Sequence, residues 1–344
     1  MAEDIVKNIP KVLINQRQNL GLIAPLDTPF TIEIGVSSYC NLKCKFCFHY
    51  DNKIEKKNMS FELFKKIIND LKCFPQKLKK LKFCGYGENL IHPQFIDMLK
   101  FTKESGIAEF IELTTNGVLL TPELSENLVN NGLNQINISI ESVNFQGYLE
   151  TSGRAVDVNA LADNIKYLFD YKNKMSVNLL VYTKIIDKTL KNEEEKKLFF
   201  EMFKDISDYL FVEQMIDMWL APDNLMIKGL GDIKNVYGLP VKNNKVCSFL
   251  FTRFIIHSDG VCVPCCSDWS KKCTIGDLKI ERAIDIWNGD KLRQMRIAHL
   301  HHKKNDIDFC NGCHVYDLNS ADNIDGYESE ILSRMQIKNV RGRN

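Results

Sequence analysis

Three cysteines, Cys40, Cys44 and Cys47, lie four and three residues apart in the run Cys-Asn-Leu-Lys-Cys-Lys-Phe-Cys. Thiolates set this closely on one loop can wrap three corners of a cubic iron–sulfur cluster and leave the fourth iron open. A zinc knuckle that recruits His49 as fourth ligand is the competing reading of the same residues. A second group follows much later: Cys247, Cys262-x2-Cys265 with Cys266 beside it, and Cys310-x2-Cys313. Four of these thiolates would close a second cluster, while the two paired motifs are also the arrangement of a zinc ribbon that leaves Cys247 and Cys266 idle. Of twelve cysteines, five fall between Cys40 and Cys84 and seven between Cys247 and Cys313, so they form two separate groups.

The rest of the composition is ordinary. Hydrophobic residues make 44% and charged residues 26% of 344, which excludes a disordered or low-complexity chain. With 45 basic against 44 acidic side chains the net charge is +1, giving no general attraction to nucleic acid or an anionic membrane. No apolar run approaches the roughly 18 to 20 residues of a membrane span, and the expected location is the cytoplasm. A reducing compartment does not use cysteines as staples, so metal is the expectation for both groups.

Elements that could position the cysteines alternate along the chain. Strands are expected at 31–36, 78–83, 110–114, 135–140, 176–183 and 209–213, separated by amphipathic helices, which implies parallel βα units. Ser60 is placed to cap a helix with Phe61, Phe64, Ile67, Ile68 and Leu71 on one face. Pro93 marks another start, and Thr121-Pro122 is a cap followed by proline at the first helical position. Six units fall short of the eight of a closed barrel, so an incomplete barrel is expected. Pro222, Gly229, Gly231, Gly238 and Pro240 scatter through 221–246, read as a connection. The chain thus divides into an N-terminal extension (1–29), the barrel (30–220), the connection, a cysteine-rich unit (247–318) and a polar helical tail (319–344) with its helix at 327–338.

Further motifs fall at the carboxyl ends of successive expected strands, where a βα barrel places its active site. They are Gly85-Tyr86-Gly87-Glu88, Thr114-Thr-Asn116-Gly117 and Ser139-Ile-Glu141. Taken with Cys40-x3-Cys44-x2-Cys47 and the aromatic Phe46, this series resembles the radical S-adenosylmethionine enzymes. The resemblance implies that Cys40, Cys44 and Cys47 hold a [4Fe–4S] cluster whose open iron chelates S-adenosylmethionine. It implies that Gly85, Tyr86, Gly87 and Glu88 meet the methionine amino group, with Phe46, Asn116, Ser139, Glu141 and Arg154 as further cofactor contacts. Asn89 stands where many members carry proline.

The later segment resembles the twitch domain, a shortened form of the SPASM extension. The landmarks are Cys247, Asp259-Gly260, Cys265, Ile275-Gly-Asp-Leu278, Ile286-Trp-Asn288, Leu292 to Arg296, and Cys310-Asn-Gly-Cys313. The resemblance assigns Cys247, Cys265, Cys310 and Cys313 to an auxiliary [4Fe–4S] cluster. Cys73, Cys84, Cys262, Cys266 and Cys273 remain as small buried or incidental thiols. The expected fold is therefore α/β, a partial (β/α)6 TIM barrel with a small C-terminal cysteine-rich twitch (SPASM-like) domain.

The chemistry so implied is reductive cleavage of S-adenosylmethionine, hydrogen abstraction by a 5′-deoxyadenosyl radical, and oxidation of the substrate radical through the auxiliary cluster. A dehydrogenase acting on an alcohol carbon of a sugar, aminocyclitol or similar small molecule is the leading expectation, with flavodoxin or ferredoxin as electron donor. About 30 residues before the first strand are too few for a separate peptide-recognition domain. Peptide or protein maturation, epimerisation and water elimination share the same first step and stay open, and a non-enzymatic metal scaffold is the third class. No catalytic base stands out. His92, His257, His299, His301, His302 and His314 read as surface, turn or packing residues, with His299-Leu-His301-His302 as a solvated helix end. Tyr182, Glu213 and Trp219 could face substrate, depending on strand register.

Overall fold

The computed structural model describes residues 18–51, 54–218, 234–319 and 322–341, so Trp219 and half of the expected connection lie outside the described residues. Nine strands form one sheet in the order β6-β5-β4-β3-β2-β1-β7-β8-β9. Strands β1 (Thr31–Ile34), β2 (Lys80–Phe83), β3 (Ile111–Thr115), β4 (Gln135–Ile140), β5 (Leu180–Ile186) and β6 (Tyr209–Glu213) are all parallel and adjacent in chain order. The sheet does not close, and the six-unit partial barrel is as expected.

The second cysteine region extends this same sheet. β7 (Arg253–Ile256) runs parallel to β1, with Thr31 opposite Arg253 and Ile34 opposite Ile256. A hairpin at Gly260, whose φ of +86° needs a residue without Cβ, leads antiparallel into β8 (Val261–Val263), and β9 (Gly276–Asp277) pairs beyond it. Pairing of β7 with β1 crosses most of the chain and has no local sequence signal.

Helices α1 (Phe61–Asp70), α2 (Phe95–Ser105), α3 (Pro122–Asn130), α4 (Phe145–Ser152), α5 (Val158–Lys174) and α6 (Glu193–Phe203) connect the strands of the half-barrel. Ser60 Oγ accepts from Leu63 N, and Thr121 caps α3 with Pro122 in its first turn, as their sequences require. Helix α2 begins two residues beyond Pro93 and ends at Gly106 in the left-handed region. Phe64, Ile67, Met98, Leu99, Leu128 and Ile165 from these helices bury against Ile32, Leu81, Leu113, Ile136 and Val181 of the strands. Each such side chain withdrawn from water contributes about 1.5–3 kcal/mol.

Gly289 separates α7 (Ala283–Asn288) from α8 (Asp290–Leu300); a Cβ there would sit 2.7 Å from Asp285 O. Trp287 is fully buried, donates to Leu26 O at 3.0 Å and carries the Arg296 guanidinium 4.1 Å above its ring. The stack is internal to the cysteine-rich segment, and the hydrogen bond to Leu26 ties that segment to the chain just ahead of β1. Beyond the short α9 (Val315–Asn319), the tail forms α10 (Glu328–Arg341). It is not wholly solvated: Ile331 and Met335 join the core, and Arg334 donates to the carbonyls of Gly21 and Leu22.

Candidate functional site

Strand alternation decides what faces the concave side of the sheet. While Leu81 and Phe83 point out into the helices, Lys80, Lys82 and Cys84 point in, followed around the sheet by Glu112 and Thr114, then Asn137, Ser139 and Glu141, then Tyr182 and Lys184. These residues, with Glu33, Glu213 and Arg253, line a cavity of about 540 Å³, within the ~300–1,000 Å³ of small-molecule sites. Closed barrels fill this space with aliphatic layers; here it is polar.

The charges are arranged in rows. Register puts Lys82 opposite Glu33 on one side and Glu112 on the other. Lys80 Nζ meets Glu112 at 2.6 Å, Lys82 Nζ stands 3.9 Å from the same carboxylate, and Asn137 Nδ2 donates to it at 2.7 Å. Arg253 pairs with Glu33 at 3.0 Å and Lys184 with Glu213 at 2.6 Å. Burial works against the Lys82 ammonium, but Cys84, Glu33 and Glu112 outweigh it and hold its pKa above the ordinary value.

Cys40, Cys44 and Cys47 follow β1 on one loop, closed by a hydrogen bond from Cys47 N to Cys44 O at 2.9 Å. Burial pushes Cys40 up to about 11 and Cys47 to about 12, and also raises Cys44 with the help of Glu141, to which its thiol is hydrogen-bonded. Thiolates so desolvated require an adjacent cation such as cluster iron to exist at neutral pH. His49, the fourth ligand of the zinc reading, instead turns its Nε2 to the carbonyl of Tyr86.

Sequence-expected cofactor residues fall into three sets. Phe46, Gly85, Ser139 and Glu141 line the cavity. Burial raises Glu141 to about 7 against the opposing pull of Lys184. Glu88 and Asn116 lie behind the cysteine loop: Glu88 accepts from Leu90 N, Thr115 Oγ1 and Asn116 N at 2.8–3.1 Å, and Asn116 Nδ2 donates to Asn41 at 2.7 Å. About one acceptor position of that carboxylate is left for an ammonium group. Gly87 and Tyr86 face other protein segments, and Arg154 is exposed after α4. The glycines allow chain to meet chain, since a Cβ at Gly87 would lie 2.4 Å from Ser37 O and one at Gly85 3.0 Å from Gly35 Cα. Asn89, at the position where relatives carry proline, accepts from Val36 N at 2.9 Å and fixes the end of β1.

Cys247, Cys265, Cys310 and Cys313 converge at the other rim, and burial raises Cys247 to about 12. Cys265 is hydrogen-bonded to Cys266, which raises Cys265 and lowers Cys266. Cys262 points away into the core with its sulfur toward Gly260 O, so the Cys262/Cys265 pair of the zinc-ribbon reading is split by β8.

Three residues depart from their expected places. Cys84 and Cys266, taken as incidental, line the cavity. His299, expected at a solvated helix end, is 2% exposed and accepts from Cys247 N at 3.4 Å. Tyr182 and Glu213 do face the cavity. The charged lining itself was readable as polar residues at every second position of otherwise apolar strands, as in Lys80-Leu-Lys82-Phe.

Tyr86 joins the two rims. Its ring stacks on His257 of the hairpin at 4.3 Å and meets Phe48 of the cysteine loop edge-on at 5.5 Å, while its hydroxyl donates to Cys266 O at 3.0 Å.

One group of thiols follows β1 and a second lies in the 247–313 segment, and the concave face of the half-open βα barrel carries a polar cavity bordered by Phe46 of the first loop and Cys266 of the second segment. The family model of the Radical SAM superfamily matches residues 34–193, and that of the SPASM iron–sulfur cluster-binding domain matches 247–314. The chain belongs to the radical SAM superfamily and carries a SPASM-type domain, so its cofactors are S-adenosylmethionine, the [4Fe–4S] cluster that binds it, and auxiliary iron–sulfur chemistry. The tungsten-containing aldehyde ferredoxin oxidoreductase cofactor-modifying protein of Pyrococcus furiosus is 33% identical over 143 residues, 42% of this chain and 39% of the relative. A GTP 3′,8-cyclase of Chlorobaculum tepidum is 29% identical over 123 residues, 36% of each chain. The match therefore spans well under two thirds of these relatives. Among solved structures, Streptococcus suis SuiB bound to S-adenosylmethionine superimposes with a TM-score of 0.63 at 17% identity, covering 88% of this chain and 75% of SuiB. BtrN in complex with AdoMet and 2-DOIA gives 0.55 at 18% identity, covering 87% of this chain and 97% of BtrN. These likenesses are of fold. No helix among the described residues is long and apolar enough to cross a membrane.

Proposed function

We propose that the protein is a radical SAM oxidoreductase that converts an alcohol carbon of a small polar molecule, a sugar, aminocyclitol or similar compound, to a ketone. When bound, the cofactors supply a 5′-deoxyadenosyl radical that removes a hydrogen atom and an auxiliary one-electron acceptor for the second oxidising equivalent. In this reading Cys40, Cys44 and Cys47 hold the first cluster, and Cys247, Cys265, Cys310 and Cys313 the auxiliary one. Phe46, Gly85, Ser139 and Glu141 border S-adenosylmethionine, with Glu88 and Asn116 setting the loop behind it. Asn137, Ser139, Lys184 and Glu213 offer donors and acceptors to substrate hydroxyls and hold the reacting carbon in place, while the enclosed wall excludes water. A small carrier of the flavodoxin or ferredoxin class delivers the reducing electron.

The observation that carries this reading is the polar cavity, which reaches from Glu141 beside Cys44 to Cys266 beside Cys265. Its size and charged wall favour a compact hydroxylated molecule. Anaerobic reconstitution should give about eight irons per chain, as two four-iron clusters require, and 5′-deoxyadenosine on addition of S-adenosylmethionine and dithionite. Nucleoside release should then be accelerated by a sugar or aminocyclitol that becomes two hydrogens lighter. Acceleration by peptides alone would replace oxidation of a small molecule with peptide maturation, and zinc without cleavage would favour a scaffold.

A further inference from the structure

A one-electron cofactor needs a route for its electron, and the inner side of the 40–47 loop is taken by the cavity. We infer that the outer side of this loop is the docking surface for an acidic one-electron carrier protein, an inference that rests on the function proposed above. Residues 39–57 contain five lysines against two acids, a net +3 in a chain whose total is +1. Of these, Lys43 and Lys45 are interleaved with the thiols along the chain, and Lys56 and Lys57 follow them. Lys43 and Lys45 are exposed, and their backbone N–H groups brace the loop against Ser152 O and Thr151 O at 2.8 and 2.9 Å. Lys56 and Lys57 are exposed as well, tied back by the bond from Ser38 N to Lys57 O at 2.9 Å.

Two large aromatic side chains of the same stretch are open to solvent. Tyr39 is 40% exposed and adjoins Cys40; Tyr50 is 50% exposed and its N–H donates to Cys47 O at 2.9 Å. Exposed tyrosines ringed by cations form the apolar centre and charged rim of a transient interface. Glu55 is exposed beside Lys56 and Lys57, and Glu150 pairs with Lys191 at 2.8 Å while also facing Lys45, so the lysines outnumber the acids on this face. An anionic carrier is steered by such a patch and seated with its redox group over the cysteines.

The test uses a bacterial flavodoxin as probe with the reconstituted protein. Calorimetric binding and the rate of cluster reduction by photoreduced flavodoxin are measured at ionic strengths of about 0.01 and 0.15 M, where the screening length falls from ~30 to ~8 Å. Changing Lys43→Glu, Lys56→Glu and Lys57→Glu together should lower affinity and reduction rate by ~10–100-fold at the lower ionic strength, and by less at the higher. Iron content and dithionite-driven cleavage of S-adenosylmethionine should stay at the parent level. Because Lys43 lies within the cysteine loop, Lys56→Gln with Lys57→Gln provides a second variant clear of it, expected to show a smaller loss of the same sign. Unchanged flavodoxin affinity in an iron-replete variant, or parent binding indifferent to salt, overturns the docking surface. Parent protein that binds flavodoxin but never cleaves S-adenosylmethionine with dithionite overturns the proposed function instead.

Discussion

Replacing Gly87 by alanine tests the physical account of the cysteine loop. The new Cβ would stand 2.4 Å from Ser37 O, 2.6 Å from Tyr39 O and 2.9 Å from Ser38 C, about 1 Å inside the ~3.5 Å of normal contact. All three atoms are backbone, and they are pinned by Glu88 N to Tyr39 O at 2.8 Å and Ser38 N to Lys57 O at 2.9 Å. The loop must therefore move as a body, carrying Cys40 with it. Overpacking of this kind costs about 1–3 kcal/mol, which the fold survives. A displacement of about 1 Å at a reacting centre costs about 100-fold in rate. Gly87→Ala should fold, fill its first cluster incompletely so that iron falls somewhat below about eight per chain, and release 5′-deoxyadenosine about two orders of magnitude more slowly. Gly85→Ala, whose Cβ meets Gly35 Cα at 3.0 Å, should show the same defects more mildly. Iron analysis and timed nucleoside release decide the matter, and a Gly87→Ala protein with full iron and parent turnover would refute the steric account.

Other outcomes follow from the same geometry. Glu112→Ala leaves Lys80 and Lys82 without their shared carboxylate, whose side chain is 1% exposed; urea unfolding should show a loss of about 3 kcal/mol, since the cations keep some access to the cavity. Burial lowers His257 from 6.5 to about 4, so the unfolded chain binds the extra proton between those values and stability must fall as pH drops through the same window. His257→Phe, which keeps a ring against Tyr86, should flatten that decline by up to about 3 kcal/mol, measured as unfolding free energy at pH 6.5 and 4. Changing Cys40, Cys44 and Cys47 together to alanine should abolish nucleoside formation while leaving about four irons, and a chromophore of undiminished intensity would contradict the two-site account.

Local signals decided local structure. Strands β4 and β6 coincide with the expected 135–140 and 209–213, because each is an uninterrupted β-rich run bounded by polar turns. β5 was expected at 176–183 and lies at Leu180–Ile186, since α5 runs to Lys174 and Ser176 takes a positive φ of 53° while Val177 N bonds back to Lys172 O. The first apolar residues after the helix thus turn the chain before pairing begins. Motif order located both thiol groups without any knowledge of pairing. The charged cavity wall was less legible, since alternation shows which residues share a face but not that this face becomes the concave side of the sheet. Tyr86 was expected at the cofactor; its contacts with His257 and Cys266 depend on β7 pairing with β1, which nothing near either strand announces.

That pairing also means that the C-terminal half is no detachable cassette. A chain cut before β7 would leave β1, the end strand of the half-barrel, as a bare hydrogen-bonding edge with Ile32 and Ile34 at its flank. Grafting this segment onto another barrel would demand a recipient edge in the same register. The spacing of the two thiol groups is thus tied to the hydrogen-bonded ladder between β1 and β7 rather than to the length of the chain that runs between them.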